Sequence, residues 1–90
     1  MDFLLTEEFS QAYDELSDAE AVQLDTTIRR LLDEHGSAWA RQGRIVAGEG
    51  DGRYDGAWIV TAPVDDELFH IYWEYEAKET LLLMALASAP

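Results

Sequence analysis

Apolar residues recur along this chain with two different periods, helical before Gly36 and alternating after it. The opening Asp2-Phe3-Leu4-Leu5 predicts a short strand. Thr6 follows as an N-cap, with Glu7 and Glu8 in the first turn, where the helix dipole favours anions. Phe9, Ala12, Tyr13 and Leu16 then share one face, with Gln11, Asp14 and Glu15 opposite, so a first helix is expected to end near Leu16. Ser17-Asp18-Ala19-Glu20 has the spacing of a capping box, in which the Ser17 hydroxyl serves the Glu20 amide and the Glu20 carboxylate reaches back. The second helix carries a buried stripe of Ala21, Leu24, Ile28, Leu31, Leu32 and His35, and Gly36 is expected to supply a left-handed exit. Helices joined by so little chain form an antiparallel hairpin.

Past Gly36 the pattern turns to strands. Ser37 to Gly43 reads as a connector and Arg44-Ile45-Val46-Ala47 as a short strand. The segment from Gly48 to Gly56 holds four of the six glycines and is expected to be a loop. Ala57 to Ala62 predicts the next strand, stopped by Pro63, with Val64-Asp65-Asp66-Glu67 as a polar turn. In Leu68 to Tyr75 alternation places Phe69, Ile71, Trp73 and Tyr75 on one face, and Leu68, His70, Tyr72 and Glu74 on the other. After a turn at Glu76-Ala77-Lys78-Glu79, the apolar run Thr80 to Leu86 fits either a central strand covered on both faces or a short buried helix, and hairpin logic favours the strand. The expected order is β-α-α-β-β-β-β, an α+β fold in which residues 1–90 make one domain.

Composition restricts the function classes. The chain has 19 Asp and Glu against 6 Lys and Arg, a formal charge of −13, while 48% of residues are apolar, enough to build a core. Duplex phosphates must be met by cations, so free nucleic acid is not an expected ligand. The absence of Cys excludes disulfides, thiolate metal sites and a Cys nucleophile, and favours a cytoplasmic setting. The N-terminus has no basic segment before its short apolar run, and residues 81–87 are too few to span a bilayer, so no membrane association is expected. The acidity fits a solvated surface or a high-salt cytoplasm as well as it fits a binding face. Arg29 and Arg30 fall in a helix, whereas Arg41, Arg44 and Arg53 crowd the middle of the chain and can form a local positive spot.

Most candidate chemical motifs fail on inspection. His35 and His70 are the only histidines, without the spaced carboxylates a zinc site needs, so no metal and no cofactor is expected. Asp51 to Gly56 resembles the start of a calcium loop, but Arg53 occupies a ligand position and no Glu closes the loop. Gly48, Gly50 and Gly52 do not precede a helix, so they are not a phosphate cradle. Trp58 and Trp73 read as core aromatics, and Trp39, in the connector, as the tryptophan expected to be exposed for partner binding.

The element order and several local patterns resemble the RelE/ParE superfamily of small bacterial toxins. The resemblance lies in the helix Phe9 to Leu16, the helix end Ile28 to Gly36, and Arg44 opening a strand. It continues in Phe69-His70-Ile71-Tyr72-Trp73, where the family usually has aromatic-Arg-aliphatic-aliphatic-Tyr. It implies an N-terminal strand and a helical hairpin packed on a curved antiparallel sheet. In RelE-type members it implies ribosome-dependent mRNA cleavage by basic and aromatic residues on the open sheet face; in ParE-type members it implies inhibition of DNA gyrase by protein binding. In this sequence His70 stands at the usual Arg, Ala57 to Thr61 carries no charge, and Leu86 to Pro90 has no basic or His/Tyr ending. What remains for catalysis is His70 and Glu74 as an acid/base pair with Tyr72, and for phosphate or partner binding Arg44, Arg53, Arg41 and Trp39. The expected function is a toxin of a type II toxin–antitoxin system that inhibits translation or gyrase mainly by protein binding. Its partners would be an antitoxin and the ribosome or gyrase, with a homodimer left open. The −13 charge supports the alternative of a non-toxic acidic module whose carboxylates imitate phosphates on a basic nucleic-acid-binding protein.

Overall fold

The computed structural model describes residues 1–46, 48 and 52–88. Ala47 at the end of the expected strand, Asp51 at the head of the calcium-like loop, Glu49, Gly50 and the C-terminal Ala89-Pro90 lie outside the described residues. The elements are β1 (Asp2–Leu5), α1 (Glu7–Asp14), α2 (Asp18–Glu34), β2 (Gly43–Arg44), β3 (Trp58–Val64), β4 (Glu67–Ala77) and β5 (Thr80–Ser88). They form one sheet in the order β1-β5-β4-β3-β2. The β2–β3, β3–β4 and β4–β5 pairs are antiparallel, whereas β1 joins the sheet parallel to β5. The two helices carry the chain from one edge of the sheet to the other.

Both helix starts follow from local chemistry. The Thr6 hydroxyl accepts from the Phe9 amide at 3.1 Å and donates to the Met84 carbonyl at 2.6 Å, so the cap also ties α1 to β5. In the Ser17 capping box the Ser17 amide donates to Glu20 at 2.8 Å and the Glu20 amide to Ser17 at 3.2 Å. The end of α2 differs from expectation: His35 is a right-handed cap at φ −58°, and Gly36 is not among the glycines with positive φ. The chain needs no left-handed reversal there, because Ser37 bonds back to the Glu34 carbonyl and Ala40 to the Ser37 hydroxyl, continuing in turns.

Strand boundaries also differ: β4 runs on through Glu76 and Ala77 of the expected turn, and β5 continues past Leu86 to Ser88. β3 runs through Pro63 to Val64, because the carbonyls of Ala57 and Ile59 serve Ile45 and Gln42. By alternation the Pro63 nitrogen therefore faces the edge away from β4, where no ladder donor is needed. β2 stops at Arg44 because Gly56, at φ 84°, turns its partner segment out of the extended conformation.

Phe9, Leu24 and Leu31 from the helices meet Val60, Val64, Ile71, Trp73, Leu81 and Leu83 from the sheet, and these side chains are fully buried together. Thr27 is buried on α2 beside the apolar stripe, while Ala21 is only half-buried. The opposite face of β4 carries Leu68, His70, Tyr72 and Glu74, none of which is fully buried. A register shift between Tyr72 and Trp73 leaves Met84 of β5 without a cross-strand partner. At the far end of the sheet, Gln23 of α2 grips the Asp65-Asp66 hairpin. It accepts from the Asp65 amide at 2.6 Å and donates to the Asp65 carboxylate at 2.8 Å, holding Asp65 at φ 54°.

Candidate functional site

The alternation of β4 brings His70, Tyr72 and Glu74 to the open sheet face, as their spacing predicts. Cross-strand register then sets their neighbours: His70 stands between Thr61 and Ala87, Tyr72 between Ile59 and Ala85, and Glu74 beside Leu82. None of these neighbours is a cation. His70 and Glu74 are four residues apart on one strand, which separates their Cα atoms by about 13 Å with Tyr72 between them. Their side chains share no hydrogen bond, so the structure does not join them as an acid/base pair.

Tyr72 is the point where this face acquires polar company. Tyr54, from the glycine-containing loop, packs edge-on against it with ring centres 5.4 Å apart. The Tyr54 hydroxyl donates to the Glu8 carboxylate of α1, and Arg53 reaches the same carboxylate at 2.9 Å. Arg53, Tyr54, Glu8, Thr6, Gln11 and the unpaired Met84 line an open cleft of about 740 Å³. Arg53 is therefore beside the Tyr72 face but already neutralised by Glu8. Glu8 and Tyr54 carry no local sequence signal of this site, because they meet across 46 positions of chain.

Arg44 and Arg41 belong to a second cluster, around Trp58, which Trp39 does not join. Arg44 is cross-strand to Trp58, which is cross-strand to the buried Trp73, so this row faces the helix side of the sheet, opposite Tyr72. The Arg44 and Arg41 guanidinium carbons lie 4.5 and 5.0 Å from the Trp58 ring centre. Arg41 also donates to the His35 carbonyl at 3.2 Å and the Tyr75 hydroxyl at 2.7 Å. Because arginine only donates, the Tyr75 oxygen accepts from Arg41, and the same hydroxyl lies 2.8 Å from His35 Nδ1, with which it shares a hydrogen bond. Trp39 is not the exposed tryptophan expected of a connector residue: it is half-buried against the core, with Arg30 stacked 4.0 Å from its ring centre. Turns from Ser37 to Arg41 fold that connector inward, and the Trp73 indole pins it by donating to the Ala40 carbonyl at 2.9 Å.

A third feature is an apolar groove of about 360 Å³ between β1 and the helices, lined by Phe3, Leu5, Phe9, Ile28 and Leu32. At its rim Tyr13 donates to Asp25 at 2.9 Å. That hydrogen bond holds the phenol above its ordinary pKa of 10.0, with burial and the negative charges of Asp25 and Asp14 acting in the same direction. Among the described residues no group of three or more His, Asp and Glu side chains could hold a metal ion, and no helix is long and apolar enough to cross a membrane.

Neither a protein-family model nor a curated protein matches the sequence. Among solved structures, a chain of the intact E. coli RelBE toxin–antitoxin complex is similar, with a TM-score of 0.65 at 11% identity. The likeness covers 99% of this chain and 96% of that one. The chain has a RelE-like α+β fold, the architecture expected from its sequence.

Proposed function

We propose that this chain is a RelE/ParE-type toxin of a type II toxin–antitoxin system, acting in the cytoplasm by binding a component of an essential machine rather than by cutting RNA. The fold and the toxin–antitoxin assembly formed by its E. coli structural neighbour support the toxin reading, with an antitoxin as one protein partner. The preference for binding rests on one observation: the rows Thr61–His70–Ala87 and Ile59–Tyr72–Ala85 across the open face contain no cation. Phosphodiester cleavage needs positive charge at the phosphate and a proton acceptor within hydrogen-bond reach. This face supplies neither around His70. Its exposed Leu68 and half-buried Tyr72 instead offer the apolar and aromatic contacts a protein surface uses. The ribosome and gyrase are the two targets that the resemblance names.

The −13 charge favours a second reading, an acidic module that occupies the phosphate site of a basic protein. Tightly controlled expression in a bacterial host separates the two. The toxin reading expects viable count to fall on expression, to recover when a neighbouring antitoxin gene is co-expressed, and to fall equally with folded His70→Ala. Loss of inhibition in folded His70→Ala would revive the nuclease. Unaffected growth with folded wild-type protein would leave the acidic module.

A further inference from the structure

We propose that Arg41 and Arg44, held on Trp58, form a docking site for the paired carboxylates of an acidic peptide segment in a protein partner. The proposal stands on how this chain treats its cations. Among the described residues Arg30 pairs with Glu34 at 3.0 Å and Arg53 with Glu8 at 2.9 Å. Among the described residues Arg41 and Arg44 have no carboxylate partner, although the chain holds 19 acidic residues. Arg29 and Lys78 also lack one, but neither is held on an aromatic ring beside a second cation.

Two guanidinium groups sharing one ring are no more than about 10 Å apart, within a Debye length at 0.1 M salt, so they repel each other until an anion bridges them. Their positions are nonetheless built. Arg41 is fixed by the His35 carbonyl and the Tyr75 hydroxyl, and Arg44 by the Gly56 carbonyl at 3.3 Å. Each guanidinium has five N–H donors, and these bonds leave most of them unspent. A planar fork with free donors, immobilised beforehand on an indole, matches the geometry of a carboxylate and loses little entropy on binding it. Arg44 is exposed at the short β2 edge, so the pair is open to a ligand.

The charge around the pair selects the ligand. A nucleic-acid strand places a phosphate at every nucleotide and needs a continuing track of cations. Here Arg30 and Arg53 are already paired with Glu34 and Glu8, and a −13 molecule repels a long polyanion. Two neighbouring carboxylates require only the pair itself. This inference holds whether or not the chain is a toxin, because it concerns what the pair recognises.

The test titrates the full chain with triglutamate and follows the Arg41 and Arg44 Nε–H and Trp58 indole resonances by NMR, with a uridine trinucleotide as parallel probe. The expected result is a saturable response at these groups that weakens as salt rises. Arg44→Gln should bind about tenfold more weakly, the scale of one lost charge-assisted contact. Lys78→Gln, which removes the same charge at the β4–β5 turn, should bind as wild type. The Trp73 indole resonance reports that each variant is folded. Should Arg44→Gln not fold, Arg44→Lys keeps the charge without the fork and is still expected to bind more weakly. No saturable response, equal binding by the Arg44 and Lys78 variants, or a stronger response to the trinucleotide would overturn the proposal.

Discussion

Trp73→Phe tests how the connector that carries Arg41 is held to the sheet. Trp73 is fully buried, and its indole N–H donates at 2.9 Å to the carbonyl of Ala40, itself fully buried. Water cannot replace the lost donor there. Leaving that carbonyl unsatisfied costs about 1–3 kcal/mol. The smaller phenyl ring adds about 1 kcal/mol for the space it leaves in a core that also packs against Tyr75. The total is about 3 kcal/mol, a large share of the roughly 5–15 kcal/mol that stabilises a small domain. At about 4–8 °C per kcal/mol, the melting temperature should fall by roughly 12–24 °C. Far-UV circular dichroism is the right readout, since the substitution removes a fluorophore. Amide exchange across residues 38–44 should quicken more than in α1, because only that connector loses its pin. A loss under about 1 kcal/mol, within the range of an ordinary core change, would refute the argument.

Tyr13→Phe should lower stability by about 1 kcal/mol near neutral pH through loss of the bond to Asp25. Its effect on pH dependence has a definite sign. The Tyr13 phenol titrates higher in the folded state, so its contribution is fully present below pH 10.0 and is lost as pH rises through the folded value. Urea titrations across that alkaline range should show a smaller loss of stability in the variant than in wild type; parallel curves would refute the assignment. Ser17→Ala should cost about 1 kcal/mol in urea unfolding by removing the cap from the Glu20 amide, and an unchanged midpoint would show that the capping box does not support α2.

The elements that local chemistry controls were legible in the chain. Thr6, Ser17 and Glu20 mark helix starts with side chains that satisfy amides three residues away, so each signal sits within one turn of what it determines. The alternation from Leu68 to Tyr75 likewise assigns His70, Tyr72 and Glu74 to one face, because strand geometry has a period of two. The same alternation does not tell how far apart those groups stand or what lies across from them. Thr61 and Ala87 flank His70 only through pairing between distant strands, and the absence of cations there became visible once that register was known.

The sequence by itself therefore determined the element order, the N-terminal helix caps, the face that enters the core and the excess of negative charge. Each of these depends on composition or on neighbours a few residues away. Tertiary structure alone decided that β1 lies parallel to β5, that Pro63 sits inside β3, and that Trp39 turns inward. It also divided the candidate residues between two faces, His70, Tyr72 and Glu74 on one and Arg41 and Arg44 beside Trp58 on the other. Those outcomes depend on which strand edges meet and on where a connector is pinned, and such contacts between distant residues leave no period in the chain.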